Sequence, residues 1–416
     1  MNEKIIIENF GGINKFEVHL NQINVFIGPQ ATGKSICAKL FYFFKRFQNE
    51  LIDGIENQIT IEETEAQIIK KFEDFFPPHT YPKGKFSIRY IISNEFIEIR
   101  KNNGNKIELK YSNFYKSEFQ EFKSIYIKKL KEEQTKEQLE MHRSLFLIRT
   151  KFINEIQKHI GMPSGYNQIY IPAVRSFFAN IQKNIFSFLS SQRVIDPFFI
   201  EFGSFYESMK RRHFFREGKI DNTKINDLVE KIICGKYIQE KGEDFLIHPD
   251  GRKVNISYSS SGQQETLPLT IILKNLLNIG FLGNGATVYI EEPEAHLFPF
   301  AQKSIVELIA SVFNFSKENK FQFIVTTHSP YILTSFNNLI HAGSLQTKLS
   351  PTKKAKLYKI VPKEEIITPG LINAYSLEHE GITDLICKET GLIATNIIDS
   401  VSDNIAIQFD ELLNLE

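Results

Sequence analysis

Gly28-Pro29-Gln30-Ala31-Thr32-Gly33-Lys34-Ser35 is the stretch on which the reading of this chain turns. It fits the pattern G-x-x-x-x-G-K-[ST]. The backbone N–H groups of such a loop wrap phosphate, its lysine reaches the β- and γ-phosphates, and its serine holds Mg²⁺. The apolar run Ile23 to Ile27 precedes it and reads as a strand. Ile36 to Phe47 follows it and reads as a helix whose N-terminus faces the phosphates. Strand, loop and helix in this order predict an α/β fold built around a phosphate-binding loop. Residues 28–35 are all candidate nucleotide ligands, with Lys34 also catalytic and Ser35 also on the metal.

The 416 residues allow a large core and more than one lobe. Fifty Lys+Arg stand against 49 Asp+Glu, a formal net charge of +1, so no global signature for nucleic acid is present. Cys37, Cys234 and Cys387 are scattered, without metal-like spacing or a disulfide framework, which suggests a reducing, intracellular setting. No basic-then-apolar leader and no apolar run of about eighteen residues is evident, so the expectation is a soluble cytoplasmic protein with no membrane partner. The 37 Phe read as compositional bias more than as function.

Working outward, Lys4 to Phe10 and Phe16 to Leu20 read as strands around Gly11-Gly12. Glu62 to Phe76 has helical spacing, with Ile68, Ile69, Phe72 and Phe76 facing inward, and Pro77-Pro78 stops it. Phe86 to Ile92, Phe96 to Arg100 and Lys106 to Tyr111 read as a small meander. Residues 117–160 hold no Pro or Gly and set apolar residues among Lys, Glu and Gln. They predict a long amphipathic helix or a helical hairpin, either a solvated lobe or a partner-binding arm. Gln168 to Arg175 returns to a core-strand pattern with a proline stop. Residues 176–239 read as mainly helical, and within them Lys210 to Arg216 is the densest basic cluster. It reads as a solvated helix face and leaves nucleic acid open as a partner. Phe245 to Ile247 and Val254 to Tyr258 form a hairpin across Pro249-Asp250-Gly251. The expected divisions are 1–115 (first part of the ATPase core), 116–164 (helical insertion or arm), 165–345 (helical lobe and rest of the core) and 346–416 (a small cap).

Two further strand ends carry chemistry. Thr287 to Ile290 is a buried-type strand that ends in Glu291-Glu292-Pro293-Glu294. Phosphoryl transfer needs one carboxylate to orient Mg²⁺ and another free to polarise the attacking water. Neighbouring side chains at a strand end point different ways. Glu291 is therefore assigned to the metal and Glu292 to general-base duty. Phe321 to Thr326 is a second such strand, ending in Thr327-His328-Ser329-Pro330. His328 there is placed to hydrogen-bond the γ-phosphate and sense its presence.

The order phosphate loop, Ser-Ser-Gly-Gln-Gln (260–264), Glu-Glu-Pro-Glu-Ala-His (291–296) and Thr-His-Ser-Pro (327–330) resembles the ABC-type ATPase heads of the RecF/SMC and OLD-like group. The resemblance covers about residues 1–45 and 165–345. It implies a P-loop NTPase of ABC-ATPase type with an inserted helical lobe, and ATP with Mg²⁺ as cofactors. It implies that Ser261, Gly262 and Gln263 bind the γ-phosphate of ATP held by a second copy, so that the active form is at least a dimer. Gln263 replaces the second glycine of the transporter version. Glu291 replaces the usual aspartate, as in the Glu-Glu-Pro-Glu form of the OLD-like branch. His328 falls on the switch histidine, and Glu294-Ala295-His296 falls on the loop that crosses the dimer interface. Arg175 resembles an arginine of this branch, expected to approach the nucleotide or to brace the lobe junction. The hinge glutamine of the family is not placed.

The segment after His328 lacks an Asp-x-Asp pair at a strand end, although it holds Glu378, Glu380, Asp384, Asp399 and Asp403. The Toprim-type nuclease often found in the OLD-like branch is therefore expected to be absent. The resemblance then implies an ATPase that controls a separate effector, such as a nuclease or toxin, in anti-phage defence. The alternative is a RecF/SMC-like DNA-binding ATPase of repair or chromosome maintenance. A transporter ATPase is a third and weaker reading, because the aromatic adenine-stacking segment before the loop is missing.

Overall fold

The computed structural model describes residues 2–81, 84–102, 106–132, 138–178, 196–211, 223–277, 285–315, 320–394 and 406–413. Its centre is a six-stranded sheet. The strands are β3 (Ile23–Ile27), β7 (Asn167–Ile171), β11 (Ala286–Glu291), β12 (Phe321–Thr327), β13 (Ile372–Glu378) and β14 (Gly381–Asp384). Their spatial order is β14-β13-β3-β12-β11-β7, and every pair is parallel except β13 with β14. β3, β11 and β12 are buried at every position. Unbroken apolar runs such as these suit parallel strands covered on both faces.

Parallel pairing brings the carboxyl ends of these strands to one edge. Ile27 is level with Thr327 and with Ser376, Glu291 with Thr326, and Ile290 with Ile171. Loops leaving that edge form the crevice in which open α/β sheets bind ligands. The phosphate loop leads from β3 into α1 (Lys34–Lys45), and the Glu291-Glu292 turn leads from β11 toward α9 (Pro299–Phe315). The His328 turn leads from β12 into α10 (Pro330–Lys348).

A second sheet is antiparallel, in the order β2-β1-β4-β5-β6. It comprises β1 (Glu3–Phe10), β2 (Ile13–His19), β4 (Phe86–Ile92), β5 (Glu95–Lys101) and β6 (Ile107–Tyr111). Against it pack α1, α2 (Phe47–Glu56), α3 (Ile61–Phe75), α4 (Asn113–Glu132) and α5 (Gln138–Ile160), which share one apolar cluster with it. Phe10, Phe72, Phe76, Tyr81 and Phe86 meet there with ring centroids 5.0–6.3 Å apart. Each such ring contributes roughly 1.5–3 kcal/mol by burial, so the phenylalanines of this region are core material. α3 starts at a capping box in which Thr60 and Glu63 bond each other's backbone N–H.

The 117–160 region is two helices that pack through Phe122 and Phe152, whose centroids are 5.0 Å apart. Arg149 of α5 bonds Glu56 of α2 at 3.1 Å. The hairpin form of the expectation describes it, and its inner face joins the second core. A short sheet of β8 (Lys236–Glu240), β9 (Glu243–Ile247) and β10 (Lys253–Asn255) lies near α6 (Pro197–Arg211), α7 (Thr223–Ile233) and α8 (Ser261–Leu276). β8 falls in the stretch read as mainly helical. Lys241 and Gly242 both take positive φ between β8 and β9, a tight two-residue hairpin. After α11 (Pro351–Ile360), the stretch expected as a small cap supplies β13 and β14, and β13 lies directly beside β3.

Candidate nucleotide site

The phosphate loop is built by backbone that few side chains tolerate. Gly28 has φ 149°, and a Cβ there would lie 2.0 Å from the carbonyl oxygen of Leu377 on β13. Ala31 has φ 61° and Gly33 has φ 94°. Gly33 is the N-cap of α1 and gives no side-chain cap, and no acidic residue sits in the first turn. The amides of that turn are left for an anion, which the helix dipole also favours. Lys34 is buried and donates to the carbonyls of Gly28 at 2.8 Å and Pro29 at 2.6 Å. Burial holds its ammonium below the ordinary lysine value, while Glu292 and then Glu294 pull it back up. Thr32 donates its hydroxyl to Pro29 O at 3.0 Å, which closes the loop.

Glu291 and Glu292 have distinct surroundings. Glu291 is buried, and its carboxylate accepts from the Tyr170 hydroxyl at 2.7 Å and from the Ala173 N–H at 3.3 Å. Glu292 sits at φ 43°, outside the usual region for a side chain of its type, with its side chain partly exposed. Its Oε1 is 3.5 Å from Nε2 of His328. Glu294 bridges the same two turns, since its Oε1 accepts the His328 N–H at 2.6 Å. Ser329 caps α10 through the Tyr331 N–H and donates to Gln302 at 2.5 Å. The sequence reading missed Tyr170, Glu294 as a brace, and Gln302.

Among the described residues Arg175 makes no hydrogen bond to the phosphate loop. It is fully buried and braces the junction, which was the other of its two expected roles. Its guanidinium donates to the carbonyls of Glu291 at 2.7 Å, Glu292 at 3.1 Å, Pro172 at 2.9 Å and Glu265 at 3.0 Å. The end of β7 and the segment leaving it thus supply a tyrosine, an amide and an arginine to the acidic turn.

Ser260 is the N-cap of α8 and Ser261 its first residue. Ser261 is exposed, and among the described residues it makes no hydrogen bond to residues 28–35 of the same chain. Gly262 lies against the 296 turn, where a Cβ would meet His296 O at 2.8 Å. The side chain of Gln263 is already engaged. It accepts from Ser260 and donates to Ile233 O at 2.8 Å, so it shapes the start of α8. Of the basic cluster, Lys210 turns inward to Asp244 at 2.6 Å, and residues 212–216 lie outside the described residues. So do Asp399 and Asp403.

The residues present fit a nucleoside triphosphate with its divalent cation. The uncapped N-terminus of α1 offers amides to phosphate. Among the described residues three buried side-chain oxygens have no hydrogen-bond partner, and two of them, Oγ1 of Thr326 and Oε2 of Glu294, lie at this edge of the sheet, while the third is Oε1 of Gln22. Thr326 is level with Glu291 on the adjacent strand, and Glu294 lies close enough to Lys34 to act on its charge. Such orphaned acceptors are costly unless something fills the site. Among the described residues no helix is long and apolar enough to cross a membrane, and no group of three His, Cys, Asp or Glu could hold a metal by itself.

Comparison with solved structures returns SMC heads. An SMC head bound to the C-winged helix domain of ScpA is 13% identical, with 93% of this chain and 98% of that one covered and a TM-score of 0.41. An SMC head with an extended coiled coil, bound to the C-terminal domain of ScpA derived from Pyrococcus furiosus, is 11% identical, with 96% and 99% covered and a TM-score of 0.40. The SMC head domain from Thermotoga maritima is 10% identical, with 80% and 92% covered and a TM-score of 0.37. The AAA ATPase domain family matches residues 1–333, which include the phosphate loop, the acidic turn and His328. The chain has the α/β P-loop NTPase fold and belongs to the AAA ATPase domain family.

Proposed function

We propose that the protein binds ATP with Mg²⁺ and hydrolyses it in a site that a second copy completes. The observation that carries this reading is the unequal pair at the end of β11, with Glu291 tied to Tyr170 and Ala173 and Glu292 left beside His328. Ser35 and Glu291 would hold Mg²⁺, Glu291 through bound water because its own oxygens are engaged. The cation supplies charge neutralisation at the β- and γ-phosphates. Lys34 and the amides of residues 28–35 hold the phosphates in place. Glu292 takes a proton from the attacking water, and His328 orients that water or the γ-phosphate from the neighbouring strand. Ser261 is exposed and remote in hydrogen bonding from its own phosphate loop, which suits service to a neighbour's nucleotide.

The decisive experiment is sedimentation of Glu292→Gln with Mg-ATP. Dimers that appear with ATP and disappear in Ser261→Arg support the shared site. A protein that stays monomeric at cellular concentration sinks it. Control of a separate effector in anti-phage defence is the wider reading, and it rests on the family resemblance. A pull-down of the Glu292→Gln form with ATP tests it. A bound small nuclease or toxin supports that reading, and ATP-dependent, salt-sensitive DNA capture favours the RecF/SMC-like alternative instead.

A further inference from the structure

Arg175 and Glu265 occupy a position that the hydrolysis reaction alone does not require. Glu265 lies one turn into α8 from Ser261, and neither member of the pair is exposed. The Glu265 carboxylate accepts the N–H of Arg175 and the N–H of Ser176, both at 2.8 Å. Nε of Arg175 returns a bond to the Glu265 carbonyl at 3.0 Å, and its ion-pair contact to Oε1 is 3.3 Å. The other end of the same guanidinium holds the carbonyls of Glu291 and Glu292. One planar group therefore joins the first turn of the helix that carries Ser261 to the backbone that carries the catalytic acid.

Two features show that this linkage is over-determined. Val174, the residue before Arg175, has φ 60° although it is β-branched and exposed, and Glu292 has φ 43°. Backbone of this kind persists only where its surroundings over-determine it. Here the surroundings are the two N–H bonds to Glu265 on one side and the guanidinium on the other. Pro268 lies inside α8, three residues after Glu265, and lacks the N–H that would bond back into the first turn. Side chains also hold the first turn, with Gln263 on Ile233 O, Gln264 on the carbonyls of Ser257 and Ser259, and Glu265 on residues 175 and 176.

We propose that Arg175 is a positioning residue that ties the Ser261 turn to the Glu292 turn within one copy and so couples the two nucleotide sites of a dimer. The inference rests on the shared-site reading given above. In that arrangement Glu292 acts on the nucleotide held by its own Lys34, while Ser261 of the same copy acts on the neighbour's. When Ser261 engages the neighbour's phosphate, the first turn of α8 is fixed, and through Glu265 and Arg175 the Glu292 backbone is fixed with it. Each site then becomes competent only when the other is filled.

The test is the ATP-concentration dependence of turnover by the full chain, with Glu265→Gln and Arg175→Lys beside the wild type. Gln keeps the size of Glu and one acceptor oxygen, and Lys keeps the charge but cannot span several acceptors at once. Melting temperatures check that each variant is folded, and binding of a fluorescent ATP analogue to dilute protein checks each isolated site. The wild type is expected to give a Hill coefficient approaching ~2, the number of sites. Both variants are expected to fall to ~1 while single-copy nucleotide binding stays within about twofold. A folded Glu265→Gln or Arg175→Lys that keeps the wild-type Hill coefficient overturns the proposal. A wild type that dimerises with ATP but gives a Hill coefficient of ~1 overturns it while leaving the shared site standing. A wild type that never dimerises with ATP removes both.

Discussion

His328 Nε2 and Glu292 Oε1 face each other across 3.5 Å at the carboxyl ends of β12 and β11. Strand adjacency creates this pair, because β11 and β12 run parallel with Glu291 level with Thr326. The next residue of the first strand and the second next of the other then emerge side by side. Glu294 fixes the approach by holding the His328 amide. The two acids of the turn are thereby separated in surroundings. Glu291 faces Tyr170 and the β7 end, whereas Glu292 faces the histidine and acts on the charge of Lys34.

That separation predicts different outcomes for two isosteric changes. Glu292→Gln should lower turnover by about 10²–10⁴, the usual worth of a general base, with ATP affinity retained. Glu291→Gln should instead raise the Mg²⁺ concentration needed for half-maximal turnover. Single-turnover hydrolysis across a Mg²⁺ titration checks both. A Glu292→Gln protein with more than about a third of wild-type turnover would remove Glu292 from the base role.

The phosphate loop is seated against β13, and this makes Gly28 the most demanding glycine of the site. A Cβ at 28 would lie 2.0 Å from Leu377 O, a backbone atom that cannot swing aside. Gly28→Ala should displace the loop and abolish binding of a fluorescent ATP analogue. Gly12→Ala is the matched control, since Gly12 also has positive φ but no atom within 4 Å of a Cβ. It bears only the left-handed strain, about 1–2 kcal/mol, and should bind ATP normally. Equal binding by both variants would contradict the seating.

How much of this was legible depended on whether a feature is local. The phosphate loop, the acidic turn and the Thr-His-Ser-Pro turn each sit directly behind a continuous apolar strand, so spacing and hydropathy were enough to place them. β13 was not legible as a core strand. Its Asn373 and Ser376 interrupt the apolar pattern, and its partner β3 is some 350 residues earlier in the chain. Asn373 is accommodated because its amide bonds His19 O at 2.9 Å. β8 was missed because it is short and its turn is marked only by Lys241-Gly242. The pairing of Arg175 with Glu265 joins residues 90 apart. Nothing in a sequence separates a buried, fully bonded arginine from a solvated one.

A pH effect on stability follows from Glu365, which is buried against α9 near Glu307. Burial, and then the Glu307 charge, push its carboxyl up to about 7, against the opposing pull of Lys303, Lys231 and Lys224. The folded state therefore holds this proton more tightly than the unfolded chain does. The associated stability is fully present below the ordinary carboxylate range and is lost as pH rises through about 7. Glu365→Gln, neutral at every pH, should melt higher than the wild type at pH 8 and close to it at pH 4.5. Thermal melts at the two pH values check this, and a variant that is less stable at pH 8 would contradict the direction.

Arg175 also sets a stability prediction that is separate from coupling. Arg175→Ala would strand the buried Glu265 carboxylate without its cation. It would also take a donor from each of the carbonyls of Pro172, Glu291 and Glu292. Removing one partner of a buried ion pair costs about 3–5 kcal/mol, and the strained φ of Val174 would lose one of the contacts that maintain it. The urea midpoint should fall accordingly at constant slope. Arg175→Met combined with Glu265→Gln leaves no buried charge and should recover part of the loss, because an uncompensated ion is costlier than a neutral pair of similar volume. If Arg175→Ala alone costs under about 1 kcal/mol, the range of an exposed pair, then the ion pair is not what braces the junction between β7, β11 and α8.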